Sequence, residues 1–456
     1  MDNNAYISEM IVKAKKAQAD ISDFSQEQVD DLVRVIGKAI FDNAEILAKE
    51  AVTETKMGNY EDKVTKNKGK STLIWNSLKG KKSVDILGPE EGKEGILLIA
   101  KPKGVICSIT PTTNPIVTPM CNAMFALKGR NTIIIAPHPR SKNVATHAVN
   151  LMNEALEKLG APKNLIQVVK ESNKNLVAEL MSAVDVVVAT GGMGRVLAAY
   201  SSGKPAYGVG VGNVQAIIDR EYDFGQAAKH IITGRKFDNG IICSGEQSII
   251  FPVEKYDEII RTFAINGAYY IGDEETVEKF RRTMFINGRI NSEIVGQSVQ
   301  FIANLAGVTI PPNTKVVILK PRGAGALDIL CKEKMCPIMV AFAYDKFEEA
   351  VEIAKKNLAV DGAGHTSSIH SNNKAHIEYA GTELSVSRLI VNQVSATGAG
   401  GSINNGFNPS TTLGCGSWGN NSISENFTYY HLINISRIGY FNKDAKAQTA
   451  EEIWVK

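Results

Sequence analysis

The chain has 456 residues and carries 51 Lys and Arg against 48 Asp and Glu, a net charge of +3. That length implies two or three domains of roughly 100–200 residues each, and the balanced charge, without a long basic run, excludes a nucleic-acid partner. No apolar run approaches the roughly 20 residues a bilayer span requires, and Met1-Asp2-Asn3-Asn4 is no secretory leader. Six cysteines without zinc spacing are read as reduced thiols in a cytoplasmic protein with no metal site.

Residues 5–55 read as helices. Ser25-Gln26-Glu27-Gln28 resembles a capping box that opens a run with Val29, Leu32, Val33, Ile36 and Ile40 at helical spacing. The lysines from Lys63 to Lys70 are read as a solvated helix face. Val84 to Leu87 and Ile96 to Ala100, separated by Gly-Pro-Glu-Glu-Gly, predict a long hairpin.

From Gly104 onward, short β-branched runs alternate with helices. Strands are predicted at 104–109, 131–136, 165–169 and 183–189, with helices through Met124 and over Ser141–Leu159. Strands at 316–319, 338–342 and 388–391 and a helix at 347–356 continue the pattern. This alternation predicts an α/β protein with parallel, doubly wound sheets. The Gly-, Asn- and Ser-rich stretch from Ala396 to Gly419 is too long for a simple connection and reads as a functional loop.

Four places carry chemistry. Asn114, in Thr110-Pro111-Thr112-Thr113-Asn114-Pro115, sits at a helix entrance, where an amide either caps the helix or donates to an oxyanion. Thr190-Gly191-Gly192 follows a buried strand and precedes a helix, a turn suited to cradling phosphate. Cys243 lies in Asn239-Gly240-Ile-Ile-Cys243-Ser244-Gly245-Glu246, on a turn where a thiol can meet substrate. His365 sits in a Gly-rich turn, either as an acid/base or as a structural imidazole.

In this order, Thr110-Pro111, Asn114-Pro115, Ala136-Pro137-His138-Pro139, Thr190-Gly191-Gly192, Cys243 and Glu333-Lys-Met-Cys-Pro337 resemble the aldehyde dehydrogenase superfamily over nearly the whole chain. Gly364-His365-Thr366, Leu413-Gly414-Cys415-Gly416-Ser417, Asn404 to Asn408 and Arg437 to Asn442 resemble its CoA-acylating branch, nearest to CoA-dependent succinate-semialdehyde dehydrogenases (succinyl-CoA reductases). The resemblance implies a Rossmann-type nucleotide-binding domain at 1–80 and 103–235 and an α/β catalytic domain at 236–427. An oligomerisation arm is implied at 81–102 and 428–456.

It further implies that Cys243 is the nucleophile and that Asn114 and the Cys243 N–H hold the oxyanion. Glu333 would hold the nicotinamide ribose, unless it is a surface acid beside Lys332 and Lys334. His365 would lie near the site, as an acid/base or a coenzyme A contact. Thr110, Pro111, His138, Arg140, Ser141, Thr190, Gly191 and Gly192 would line the cofactor cleft. Pro137 to Lys142 lacks the acid that NAD-preferring relatives use for the ribose 2′-hydroxyl, and Arg140 and Lys142 would attract a 2′-phosphate, so NADP(H) is expected over NAD(H). Hydrolytic relatives carry a water-activating glutamate near the position of Val209, whereas Tyr207 to Gln215 holds no carboxylate. Coenzyme A is therefore expected as the acyl acceptor.

The expected reaction interconverts succinyl-CoA and succinate semialdehyde. Ser244 and Ser402 are candidates for the substrate carboxylate. The alternatives are acetaldehyde or another short-chain aldehyde, hydrolysis without CoA, and a non-catalytic scaffold. A homodimer or dimer of dimers is expected, since an open strand edge in the arm seeks a partner sheet. No further catalytic domain is expected after Trp454.

Overall fold

The computed structural model describes residues 3–171 and 173–455; Met1, Asp2 and Lys456, at the ends of the expected ranges, lie outside them. The capping box forms as expected. Ser25 Oγ accepts from Gln28 N at 3.3 Å, and Gln28 Oε1 accepts from Ser25 N at 2.8 Å, opening the helix Gln26–Asp42. Its apolar face, Val29 to Ile40, is buried as the spacing requires.

The first sheet has five strands, Val105–Ile109, Thr132–Ala136, Ile166–Val168, Val186–Thr190 and Ala206–Val209, all parallel. In space the strand Val105–Ile109 is central, with the second and third strands on one side and the fourth and fifth on the other. Helices Gln26–Asp42, Val117–Lys128 and Lys142–Lys158 cover one face. Helices Asn3–Asp20 and Lys174–Ala183 cover the other. This is the doubly wound arrangement, and its order reverses beside the central strand. A ligand crevice therefore opens beyond the carboxyl ends of Val105–Ile109 and Val186–Thr190.

The second sheet has seven parallel strands, in spatial order Ala268–Ile271, Val316–Leu319, Ile338–Tyr344, Glu246–Pro252, Val214–Ile218, Gly364–His370 and Val386–Val391. The strand Val214–Ile218 belongs here, and so does the helix Phe224–Lys236, which packs on this sheet through Ala228, Ile231 and Ile232. The changeover between sheets thus falls within residues 210–213, not at the expected limit of 235. The chain steps from one sheet to the next through the short Gly-rich stretch Gly210 to Asn213, too short to stand out as an interdomain linker.

The predicted hairpin pairs Asp85–Pro89 with Ile96–Pro102, and Ile433–Gly439 adds antiparallel to the second of these strands. The two segments expected to form one arm do form one three-stranded sheet. Among the described residues no helix is long and apolar enough to cross a membrane.

Candidate active site

Cys243 is placed by an unusual turn. Asp238, Asn239 and Gly240 all adopt left-handed backbone, with φ of 49°, 52° and 70°. Only Gly does so freely, so the two polar residues are held by partners. Asn239 Nδ2 donates to Gly58 O at 3.2 Å and Gly296 O at 3.0 Å. The turn delivers Cys243 just before the buried strand Glu246–Pro252. From the other side the backbone of Gly212 presses on it, since a Cβ at Gly212 would lie 1.8 Å from the Cys243 carbonyl oxygen.

Cys243 opens on a cavity of about 640 Å³. Its walls come from the helix Tyr60–Leu78, from Asn114, from the 396–403 loop and from residues 410–413. Asn114 and Cys243 therefore share one chamber, as their expected pairing requires. Ser244 and Ser402 line it as well. Ser244 Oγ donates to Ala396 O at 3.2 Å, and Ser402 Oγ accepts from Asn404 N at 3.2 Å. Among the described residues the wall contains neither a carboxylate nor an imidazole. Burial, with the Glu333 and Cys415 charges behind it, pushes the Cys243 thiol up to about 12.

The lysine run departs from expectation. Lys63, Lys66 and Lys70 fall at spacings of three and four on one side of the helix Tyr60–Leu78 and point inward. Only Lys68 is substantially exposed, at 41%, paired with Glu45 at 2.9 Å. Lys66 Nζ donates to Asp238 Oδ2 at 2.6 Å and to Asn114 Oδ1 at 2.8 Å. Lys70 Nζ donates to Gly400 O at 2.9 Å and Ser410 O at 3.4 Å, and among the described residues no carboxylate pairs with it. Burial pulls the Lys70 amine down to about 8. The helical spacing of 63, 66 and 70 was the available signal for this inward face.

The other expected residues gather at the carboxyl ends of the five-stranded sheet. Thr110 follows the central strand, and its buried Oγ1 has no partner. Pro111 and Ser141 are buried beside the same strand ends. Thr190 ends the fourth strand, and Gly191, with φ of 154°, turns the chain into Gly192, which caps the helix Met193–Tyr200 without a side chain. His138 Nδ1 accepts from Arg140 N at 3.1 Å. Burial first, then the Arg195 and Arg140 charges, hold His138 down at about 4. Arg195, absent from the sequence reading, stands beside Gly191 with its Cδ 3.6 Å from where a Cβ would be.

Two links join this crevice to the chamber. Thr190 Oγ1 lies 3.3 Å from Thr412 Oγ1, on the segment that walls the cavity. Glu333 Oε1 accepts from Gly212 N at 3.2 Å, and Gly212 packs on Cys243. Glu333 is half-buried and turned inward on Gly212 rather than paired with Lys332 or Lys334, and desolvation pushes its carboxyl up to about 8. His365 is fully buried in the strand Gly364–His370, with Nδ1 2.9 Å from Thr366 Oγ1 and Nε2 unpartnered. Burial holds it neutral, down at about 3. It stands behind the chamber rather than on its wall.

A doubly wound crevice beside a cavity that holds a cysteine and an amide defines the class. Residues 2–275 match the aldehyde dehydrogenase family, and the chain belongs to that family. It is 63% identical over 454 residues to a succinate-semialdehyde dehydrogenase (acetylating) of Clostridium kluyveri, covering 100% of both chains. It is 40% identical over 450 residues to a sulfoacetaldehyde dehydrogenase of an Acholeplasma species, covering 97% of this chain and 92% of that one. The crystal structure of an acetylating aldehyde dehydrogenase from Geobacillus thermoglucosidasius superposes with a TM-score of 0.93 at 36% identity, covering 98% of both chains.

Proposed function

We propose that this chain is a CoA-acylating dehydrogenase that interconverts succinate semialdehyde and succinyl-CoA with NADP(H). The observation that carries the acylating half is the chamber wall. Among the described residues, the wall around Cys243 offers amides, hydroxyls and ammonium groups but no carboxylate or imidazole to take a proton from water. A thioester formed there resists hydrolysis and waits for a thiol, which is the better nucleophile near neutral pH.

The residues act as follows. Cys243 sulfur adds to the aldehyde carbon, and the Asn114 amide and the Cys243 N–H donate to the oxygen that becomes negative. When bound, the nicotinamide supplies the hydride acceptor, or the donor in the reverse direction. Cys243 is left as a thioester, and the CoA thiolate then attacks its carbonyl and releases the Cys243 thiolate. Glu333 would hold the nicotinamide ribose. Thr110 and Thr190 offer hydroxyls at the switch point of the sheet, and Gly191 and Gly192 leave the turn beside them clear of Cβ atoms for a phosphate. Arg140 and Arg195 give a basic rim suited to a 2′-phosphate, with the neutral His138 and the Ser141 hydroxyl beside it. The second relative's name, like the first's, describes an aldehyde with an anionic far end, and among the described residues Lys70 is the half-buried chamber cation without a carboxylate partner. It, rather than Ser244 or Ser402, is the main anchor for the distal carboxylate. We propose a homodimer or dimer of dimers, supported by the open-edged arm and by Phe441 and Trp454, which are 93% and 82% exposed in its tail.

The test is NADPH oxidation with succinyl-CoA against acetyl-CoA, in wild type and Cys243→Ala, together with aldehyde oxidation without CoA. Preference for succinyl-CoA, loss in the variant and no sustained turnover without CoA are expected. Better use of acetyl-CoA would overturn the substrate, steady turnover without CoA the acylating step, and an active variant the mechanism.

A further inference from the structure

Asp238, Lys63 and Lys66 form a buried cluster beside the chamber, and the reaction as described above does not use it. Asp238 Oδ2 accepts from Lys63 Nζ at 3.0 Å and from Lys66 Nζ at 2.6 Å. Its Oδ1 accepts from Asn59 N at 3.1 Å, and its own N–H donates to Asp62 Oδ2 at 2.8 Å. The site is built to admit this carboxylate. Gly58 is left-handed, with φ of 75°, and a Cβ there would lie 1.8 Å from Asp238 Oδ1. Burial alone would raise the Asp238 carboxyl, but the two ammonium groups outweigh it and hold it lowered, as a carboxylate.

Lys66 extends this cluster into the chamber, where its second strong bond goes to Asn114 Oδ1 at 2.8 Å. An amide can be turned over end for end with little change of shape, and the two orientations are chemically opposite. An ammonium has donors only, so Lys66 accepts one orientation and rejects the other. With Oδ1 held by Lys66, the Nδ2 donors are the end of Asn114 left for the chamber it shares with Cys243. Among the described residues no protein group takes those donors.

We infer that Lys66 is a positioning residue, anchored on Asp238, that fixes the Asn114 amide with its N–H donors available to the oxyanion at Cys243. Asp238 lies in the same left-handed turn that delivers Cys243. One carboxylate thus ties the nucleophile's turn to the oxyanion donor, so the two move together. This inference rests on the proposed roles of Cys243 and Asn114 and deepens them.

A double-mutant cycle tests it, with succinyl-CoA and NADPH as substrates and iodoacetamide as the probe of Cys243. Asn114→Ala is expected to lower kcat by about 10²–10³-fold, the usual cost of one oxyanion donor. Lys66→Met is expected to lower kcat by about 10–100-fold, part of the Asn114 effect, with KM and the alkylation rate of Cys243 within about threefold of wild type. In the Asn114→Ala background the same change costs less than about threefold, because the amide it positions is gone.

Lys66→Gln keeps an N–H donor for Asn114 Oδ1 and is expected to stay within about tenfold of wild-type kcat, whether or not the Met variant folds. A full, multiplicative loss on top of Asn114→Ala, or a Gln variant as slow as Asn114→Ala, overturns the inference. So does a rise in KM at unchanged kcat, which would make Lys66 a substrate contact. If Cys243→Ala or Asn114→Ala turns over normally, the reading of the site itself fails. If both are crippled and Lys66 is additive, only the positioning role fails.

Discussion

Replacing Lys70 with Met probes the substrate assignment most directly. The ammonium is half-buried at the Cys243 chamber and, among the described residues, meets two carbonyl oxygens, at 2.9 and 3.4 Å. Those dipoles compensate a buried charge incompletely. A carboxylate arriving beside it gains a charge-assisted hydrogen bond, worth about 1.5–3 kcal/mol net. The Coulomb term at about 4 Å, near 4 kcal/mol at an effective dielectric of about 20, sets a ceiling before the substrate's desolvation is subtracted. At 1.36 kcal/mol per tenfold, Lys70→Met should therefore lower kcat/KM for succinyl-CoA by about 10–150-fold. Acetyl-CoA lacks the carboxylate and should change by less than about threefold. The ratio of the two isolates the carboxylate contact from any effect on Cys243, which both esters share.

Titration gives a second reading of the same contact. Burial lowers the Lys70 amine to about 8, so the free enzyme loses this charge as pH rises through that value. The kcat/KM ratio of succinyl-CoA to acetyl-CoA should be steady below pH 8 and fall above it, and Lys70→Met should abolish the fall. Equal losses on both esters would give Lys70 a purely structural role. An unchanged ratio in the variant would refute the reasoning.

Three further outcomes follow from the geometry. The Cys243 thiol is pushed up to about 12 by burial, so iodoacetamide alkylation of the ligand-free enzyme should keep accelerating through pH 10; a plateau near pH 8 would show that the thiolate is stabilised in the free enzyme. Arg195→Ala should raise KM for NADPH by roughly tenfold, the value of one charged hydrogen bond, and leave NADH within about twofold; equal shifts would separate Arg195 from the 2′-phosphate. Gly212→Ala would set a Cβ 1.8 Å from the Cys243 carbonyl, so thermal unfolding should show about 1–3 kcal/mol of destabilisation and turnover should collapse; wild-type stability and rate would mean the Gly212 turn is free to move.

The strands of the parallel sheets were legible because β-branched runs such as Val186-Val-Val-Ala189, which proved buried, sit between turn residues. The Ser25 box was legible because both of its partners lie within three residues. The domain limit was not. Val209 and Val214 lie in different sheets, yet both are β-branched residues of short strands separated by Gly210 to Asn213, and periodicity records that a strand exists but not which neighbour it pairs with. The inward lysines were obscured for a related reason. A lysine stem packs like a hydrocarbon while its head seeks partners, and those partners lie far away in sequence, Asp238 for Lys66 and Gly400 for Lys70. Residue type suggested solvent, whereas the spacing of 63, 66 and 70 already described one face.

Two carboxylates near Cys243, Glu246 three residues on and Glu333 close enough to act on its charge, argue for acyl transfer over hydrolysis. Burial pushes both Glu246 and Glu333 up to about 8. Glu246 Oε1 accepts from Ser395 N at 2.8 Å, and Glu333 Oε1 accepts from Gly212 N at 3.2 Å. A carboxyl with such a value would be a competent base if it faced the chamber. Neither forms its wall, where polar groups are amides, hydroxyls and ammonium groups. With the roles proposed for Asn114 and Lys70, the chamber would stabilise an oxyanion and hold an anionic tail while leaving water unactivated. Those three properties together are what a thioester needs in order to survive until a thiol arrives.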